Sequence, residues 1–131
     1  MDSYDYLSAL EQILPSIASY KLEKGGVMIL RPDSGDPSSM ILLALRAASQ
    51  VFGSQMNSKG YLVLNGCGVI HGDGINYEQI GRILMAVGDA GFAANNVAFG
   101  MGANLLQKVN RDTMGFATKL CHVIEADGTK R

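Results

Sequence analysis

Residues 68–74 read Gly68-Val69-Ile70-His71-Gly72-Asp73-Gly74, and they change character within one peptide step. Val69 and Ile70 are β-branched and apolar, the composition of a strand buried on both faces. Gly72-Asp73-Gly74 then turns the chain, because glycine accepts positive φ and aspartate tolerates it. Past the turn, Ile80, Ile83, Leu84 and Val87 recur at helical spacing. Strand, Gly/Asp-rich turn and helix form the unit from which parallel α/β sheets are built.

The same unit recurs on either side. Upstream, Val27-Met28-Ile29-Leu30 predicts a buried strand, Arg31 to Pro37 a polar turn, and Ser38 onward a helix with Ile41, Leu42, Leu45 and Ala48 on its apolar face, stopping near Gly53. Asn57 to Gly60 predicts a loop and Tyr61 to Leu64 a short extra strand. Downstream, Val97 to Gly100 predicts a third strand, Met101-Gly102-Ala103 its turn, Leu105 to Arg111 a short helix, and Ala117 to Ala126 a last strand before the polar tail Asp127 to Arg131. At the start, Leu7, Leu10, Ile13, Leu14 and Ile17 predict a helix capped by Asp2 or Ser3, disturbed by Pro15 and ended by Gly25-Gly26. The units repeat at roughly 30–40 residues, which suits βαβ crossovers. The expectation is one α/β domain over residues 1–131, with parallel strands covered by helices on both faces.

Composition agrees. Of 131 residues 47% are hydrophobic and 18% charged, enough for a sizeable core and too apolar for a disordered tail. A net charge of −1 argues against non-specific nucleic-acid binding as the main role. No signal peptide and no apolar run of about 20 residues is found, so a membrane role is not expected. Cys67 and Cys121 have neither metal-type spacing nor a disulfide-scaffold pattern, and a reducing cytoplasm is the default compartment. The 16 glycines are in excess of the usual share of about 7% and cluster at the strand ends.

Ligands of parallel α/β folds bind at the C-terminal ends of the strands. The polar residues fall there: Arg31-Pro32-Asp33-Ser34-Gly35 after the first strand, His71-Gly72-Asp73-Gly74 after the second, Gly100-Met101-Gly102-Ala103-Asn104 after the third. Singly, each has a plainer reading as a turn. Leu105 occupies the third glycine position of a dinucleotide fingerprint, which rejects that motif. His71 reads as a satisfied strand-end histidine, His122 as structural, Met28, Met40, Met85 and Met101 as core filler, and Arg111 and Lys119 as solvated surface. Together they describe a sugar-phosphate or nucleotide site. Gly102 and Ala103 offer backbone N–H groups at a helix start to a phosphate, Arg111 and Lys119 add charge-assisted bonds, Asp33 and Asp73 accept from paired ribose hydroxyls, and Arg31 presents a planar donor fork.

These motifs, in this order, resemble the nicotinamide phosphoribosyltransferase family. The matching segments are Asp2-Ser3-Tyr4-Asp5, Ile29 to Gly35, Asn57-Ser58-Lys59-Gly60-Tyr61, Val69 to Gly74, Ala98 to Gly102, and Leu105-Leu106-Gln107-Lys108 on to Arg111-Asp112. The resemblance implies formation of nicotinamide mononucleotide and pyrophosphate from nicotinamide and phosphoribosyl pyrophosphate, on a type II phosphoribosyltransferase barrel that acts as a homodimer with shared sites. It implies that Arg31 approaches the nicotinamide and its ribose, and that Asp33, Asp73 and the Gly72 backbone hold the ribose hydroxyls. Gly102 and Ala103 would bind the 5′-phosphate, with Arg111 and Lys119 paired to phosphate. Asp2 would lie near pyrophosphate and Mg²⁺. Positioning and electrostatics would supply most of the rate.

The chain departs from the family at His71, where glutamine is usual, and at Met101, Ala103 and Asn104, which replace parts of a Ser-Gly-Gly-Gly run. The family's catalytic histidine, aromatic clamp and base-reading aspartate correspond to positions upstream of Asp2, so no catalytic residue is assigned here. The expectation is therefore a fragment lacking the N-terminal half: a partial (β/α) barrel of about four parallel strands with covering helices, inactive alone, and dependent on the missing half or another copy. A nicotinate phosphoribosyltransferase, or a non-catalytic ribose-phosphate-binding remnant, are the alternatives.

Overall fold

A computed structural model of the protein describes residues 5–100, 115 and 121–130. The chain opens with α1 (Tyr6–Ser8), a five-residue π turn (Ala9–Ile13), α2 (Leu14–Ser16) and α3 (Ala18–Lys24). The first cap is Asp5 rather than Asp2 or Ser3: its carboxylate accepts from the Ser8 N–H at 2.9 Å and the Ser8 hydroxyl at 2.8 Å. Pro15 lies in the first turn of α2, where its missing N–H is least disruptive. The wide turn before it rotates the stripe, so Ala9, Leu10 and Leu14 are buried while Leu7 and Ile13 face outward.

Five strands and two long helices follow. They are β1 (Met28–Leu30), α4 (Pro37–Phe52), β2 (Ser54–Met56), β3 (Leu62–Leu64), β4 (Cys67–His71), α5 (Tyr77–Asp89) and β5 (Val97–Phe99). β1, β4 and β5 form a parallel sheet in the order β1-β4-β5, with Leu30 opposite Val69 and Val69 opposite Val97. The architecture is mixed α/β with a parallel sheet, as the β/α alternation predicts. The parallel strands number three among the described residues, not four. The segment expected as a last strand is described only from Cys121, and residues 121–126 are exposed, with one isolated bridge between Ile124 and Lys130. A turn at Ala126–Gly128 folds residues 124–130 back on themselves, and residues 117–120 of the expected strand lie outside the described residues.

The Tyr61–Leu64 strand exists but pairs antiparallel with β2, which the sequence reading did not anticipate. Local bonds close this hairpin. Asn57 Oδ1 accepts from the Lys59 and Tyr61 N–H groups, and the Asn57 N–H donates to the Tyr61 carbonyl at 2.8 Å. Asn96 ties the hairpin to the main sheet: it is buried, accepts from the Leu64 N–H, and donates to the Leu62 and Ala93 carbonyls.

The two helices start and stop for local reasons. Asp36 caps α4, accepting from the Ser39 hydroxyl at 2.7 Å and N–H at 2.9 Å, and Pro37 takes the first turn. Gly53, at φ +77, ends α4 and donates its N–H to the Ser49 carbonyl. Asn76 caps α5 by accepting from the Gln79 N–H.

The core lies on one face of the sheet. Leu30, Cys67 and Val69 pack with Ile41, Ala44, Leu45 and Ala48 of α4 and with Ile83 and Val87 of α5, and Met28, Val97 and Phe99 lie against them. The opposite face departs from the expectation of two covered faces. Ile29 is 55% exposed and Ala98 is exposed. Met85, expected as core filler, is 70% exposed on α5. Among the described residues no helix is long and apolar enough to cross a membrane.

Candidate functional site

Because β1, β4 and β5 are parallel, their C-terminal ends share one rim. Side chains alternate along a strand, so Ile29 and Arg31 share a face, as do Gly68, Ile70 and Gly72, and Ala98 and Gly100. Pairing of Ile29 with Gly68 and of Ile70 with Ala98 merges these rows into one surface. Ile29 Cδ1 comes within 3.5 Å of where a Gly68 Cβ would stand, which fixes the side on which this row lies.

At the rim the strands nearly touch. The Gly100 N–H donates to the His71 carbonyl at 2.8 Å. A Cβ on Gly100 would stand 3.1 Å from the Gly72 Cα, and one on Gly72 would stand 3.6 Å from the Gly100 Cα. The result is a floor of bare backbone. One Arg31 guanidinium nitrogen lies 4.0 Å from the Gly72 Cβ position, so the cation overlies that floor. It also faces Asp33 Oδ1 at 3.7 Å. Both side chains are more than half exposed, so this pair adds little stability, and its geometry can give way to a ligand.

Asp73 follows Gly72 on the exposed turn to α5, and Gly74, at φ +58, bends the chain so that Ile75 drops into the core. The structure thus brings Arg31, Asp33, Gly72 and Asp73 to one rim. Asp2, Gly102, Ala103, Arg111 and Lys119 lie outside the described residues. Among the described residues no three His, Cys, Asp or Glu side chains gather as a metal site would need.

Three features escaped the sequence reading. Gly100 is half of the backbone floor; its signal was present in the Gly100–Gly102 spacing, read there only as a turn. Pro32 is fully buried between the two charged residues of the Arg31-Pro32-Asp33 turn, which anchors that turn. His71, expected to be satisfied, is 1% exposed, and among the described residues neither ring nitrogen has a hydrogen-bond partner. It shares the helix-covered face with Cys67 and Val69, where apolar packing supplies no polar group. A cavity of about 390 Å³ lies elsewhere, lined by Asn57, Tyr61, Leu84 and Phe92 among others, and contains none of the rim residues.

Exposed carboxylates, one guanidinium and a side-chain-free floor stand together at the C-terminal rim of a parallel sheet, the place where ligands of parallel α/β folds bind. Comparison with known proteins gives the family. The sequence profile of the nicotinate phosphoribosyltransferase (NAPRTase) family matches residues 23–128, and the chain belongs to that family. It is 46% identical over 128 residues to a nicotinamide phosphoribosyltransferase of Xanthomonas campestris pv. campestris, covering 97% of this chain and 27% of the relative. It is 39% identical to a protein of the same name from Mycoplasma pneumoniae and 36% identical to one from Mycoplasma genitalium, each match covering 92% of this chain and 30% of the relative. The chain spans less than a third of the length of these curated relatives.

Proposed function

We propose that this chain is the ribose-phosphate-binding part of a nicotinamide phosphoribosyltransferase, the enzyme that joins nicotinamide to phosphoribosyl pyrophosphate and releases pyrophosphate. The observation that carries the reading is the Arg31 guanidinium above the Gly72–Gly100 floor, with Asp33 beside it and Asp73 on the adjoining turn. In this reading Asp33 and Asp73 accept hydrogen bonds from the ribose hydroxyls. The missing side chains at Gly72 and Gly100 let the sugar approach the backbone. Arg31 offers donors toward the base and its ribose.

The phosphate is assigned to the third turn. α4 and α5 use their first N–H groups on their own caps, Asp36 and Asn76. Gly102 and Ala103, with Arg111 and Lys119 downstream, are the remaining turn of the pattern and complete the proposal for the 5′-phosphate. Asp2 is proposed beside the pyrophosphate and a magnesium ion that accompanies it. As bonding between ribose and pyrophosphate loosens, the ribosyl centre gains positive charge, and carboxylates held near its hydroxyls favour that state electrostatically. A homodimer and a cytoplasmic location belong to the same proposal, as does inactivity of this chain alone.

The family's name favours the acid, nicotinate, as a second reading, whereas the three relatives named above carry the amide in theirs. The test is reassembly. The chain is co-expressed with the remainder of the Xanthomonas relative, and products from nicotinamide and from nicotinate are separated by chromatography. Nicotinamide mononucleotide is expected; the acid product alone would select the second reading. Asp73→Ala should weaken mononucleotide binding to the assembly by roughly 1–3 kcal/mol, and unchanged affinity would remove Asp73 from the site.

A further inference from the structure

Both ring nitrogens of His71 and the Oε1 atom of Gln79 are buried and without a hydrogen-bond partner among the described residues. The two side chains belong to one end of the molecule. His71 is the last residue of β4, on the face packed under α4 and α5. α5 carries the chain from β4 to the parallel β5, so it runs back against the strands and its first turn stands over their C-terminal ends. Gln79 is in that turn. It precedes Ile83 and Val87 by four and eight residues, and both are 1% exposed, so Gln79 continues the buried seam of the helix to the strand end.

Between His71 and Gln79 runs the turn that carries Asp73. Its two flanks are fixed. The His71 carbonyl accepts from the Gly100 N–H at 2.8 Å; Ile75 is buried, and the Asn76 Oδ1 accepts from the Gln79 N–H at 2.9 Å. Gly72-Asp73-Gly74 spans the gap, and a Cβ on Gly74 would meet nothing within 4 Å, so the tip of the turn has room to move. The unpartnered atoms are complementary, because a neutral imidazole carries one N–H donor and the amide oxygen is an acceptor. Buried polar groups left unpaired cost stability, and they persist where a site makes use of them.

We propose that His71 and Gln79 are positioning residues for the Asp73 turn. When the rim takes its ligand, the imidazole N–H bonds to Gln79 Oε1. That bond ties the end of β4 to the start of α5 and fixes the span from which Asp73 reaches the sugar hydroxyls. In the free chain the pair is open. Each residue acts through Asp73 and not on the ligand, and this use of the pair rests on the ribose-phosphate reading above.

The experiment assembles the chain with the remainder of the Xanthomonas relative and measures two quantities, the dissociation constant for nicotinamide mononucleotide by calorimetry and the melting temperature without ligand. His71→Leu and Gln79→Met should each weaken binding about two- to tenfold while the melting temperature holds or rises. The double variant should bind no more weakly than the weaker single one, because the same bond is lost in all three. His71→Gln, which keeps an N–H donor, should restore most of the affinity. With Asp73→Ala already in place, His71→Leu should weaken binding no further. Wild-type affinity in both single variants, or additive losses in the double variant, overturns the pair. Weaker binding together with a lower melting temperature marks a merely structural role and overturns it too, as does a His71→Leu loss that persists beside Asp73→Ala. A wild-type assembly that binds no mononucleotide overturns the ribose-phosphate reading itself, and this use of the pair with it.

Discussion

Asp36, Cys67 and His71 show how much one side chain decides. The Ser39 hydroxyl and then the Ser39 N–H hold the Asp36 carboxyl below its ordinary value. A depressed folded pKa contributes stability that is present above the unfolded value and lost as the pH falls through the folded one. The α4 cap therefore weakens only on the acid side of the usual carboxylate range. Urea denaturation at pH 7 should find Asp36→Ala less stable by about 1 kcal/mol and Asp36→Asn near wild type, because asparagine still accepts at an N-cap. Only the asparagine variant should lose part of the acid sensitivity while keeping the cap. Burial pushes the Cys67 thiol up, whereas Cys121 is exposed, so iodoacetamide should label Cys121 in the native chain and Cys67 only on unfolding. Among the described residues, the two ring nitrogens of His71 find no partner in their apolar layer. His71→Leu should raise stability by roughly 1–3 kcal/mol, and a lower denaturation midpoint would reveal a partner for the imidazole.

At the scale of elements, the rim depends on how closely β4 and β5 approach. The two glycines are not equivalent. A methyl on Gly100 would press on the Gly72 backbone at 3.1 Å, whereas a methyl on Gly72 would meet ordinary contact at 3.6 Å and sit near the guanidinium. Gly100→Ala should therefore lower the melting temperature more than Gly72→Ala does, and Gly72→Ala should act mainly on ligand affinity; the reverse order would show that the floor is looser than drawn. The long elements were legible in the sequence. The Ile41–Ala48 stripe and the Ile80–Val87 stripe became α4 and α5, and the apolar runs ending at Leu30, His71 and Phe99 became the parallel strands. β2 was not legible, because Ser54-Gln55-Met56 has no apolar alternation and is a strand only through its pairing with β3. The π turn was not legible either, since it keeps helical composition and changes only the bond pattern.

For the molecule as a whole, the uneven sheet is the governing fact. With one face under α4 and α5 and the other open, the chain alone should associate as its concentration rises, and light scattering should give masses above the monomer; a sharp monomer with cooperative melting would count against this. Even where the partner is supplied, the rim remains the place to look for ligand, because parallel pairing delivers three strand ends to one side. By itself, the amino-acid sequence determined the β/α alternation, the turns that carry Arg31, Asp33 and Asp73, and the family resemblance. Each of these is a matter of local periodicity and short motifs. Only the tertiary structure decided that Arg31 crosses to Gly72, that Gly100 completes the floor, and that the rim sits on the uncovered face. Those depend on register between strands far apart in the chain and on which face the helices choose, and no local pattern encodes either.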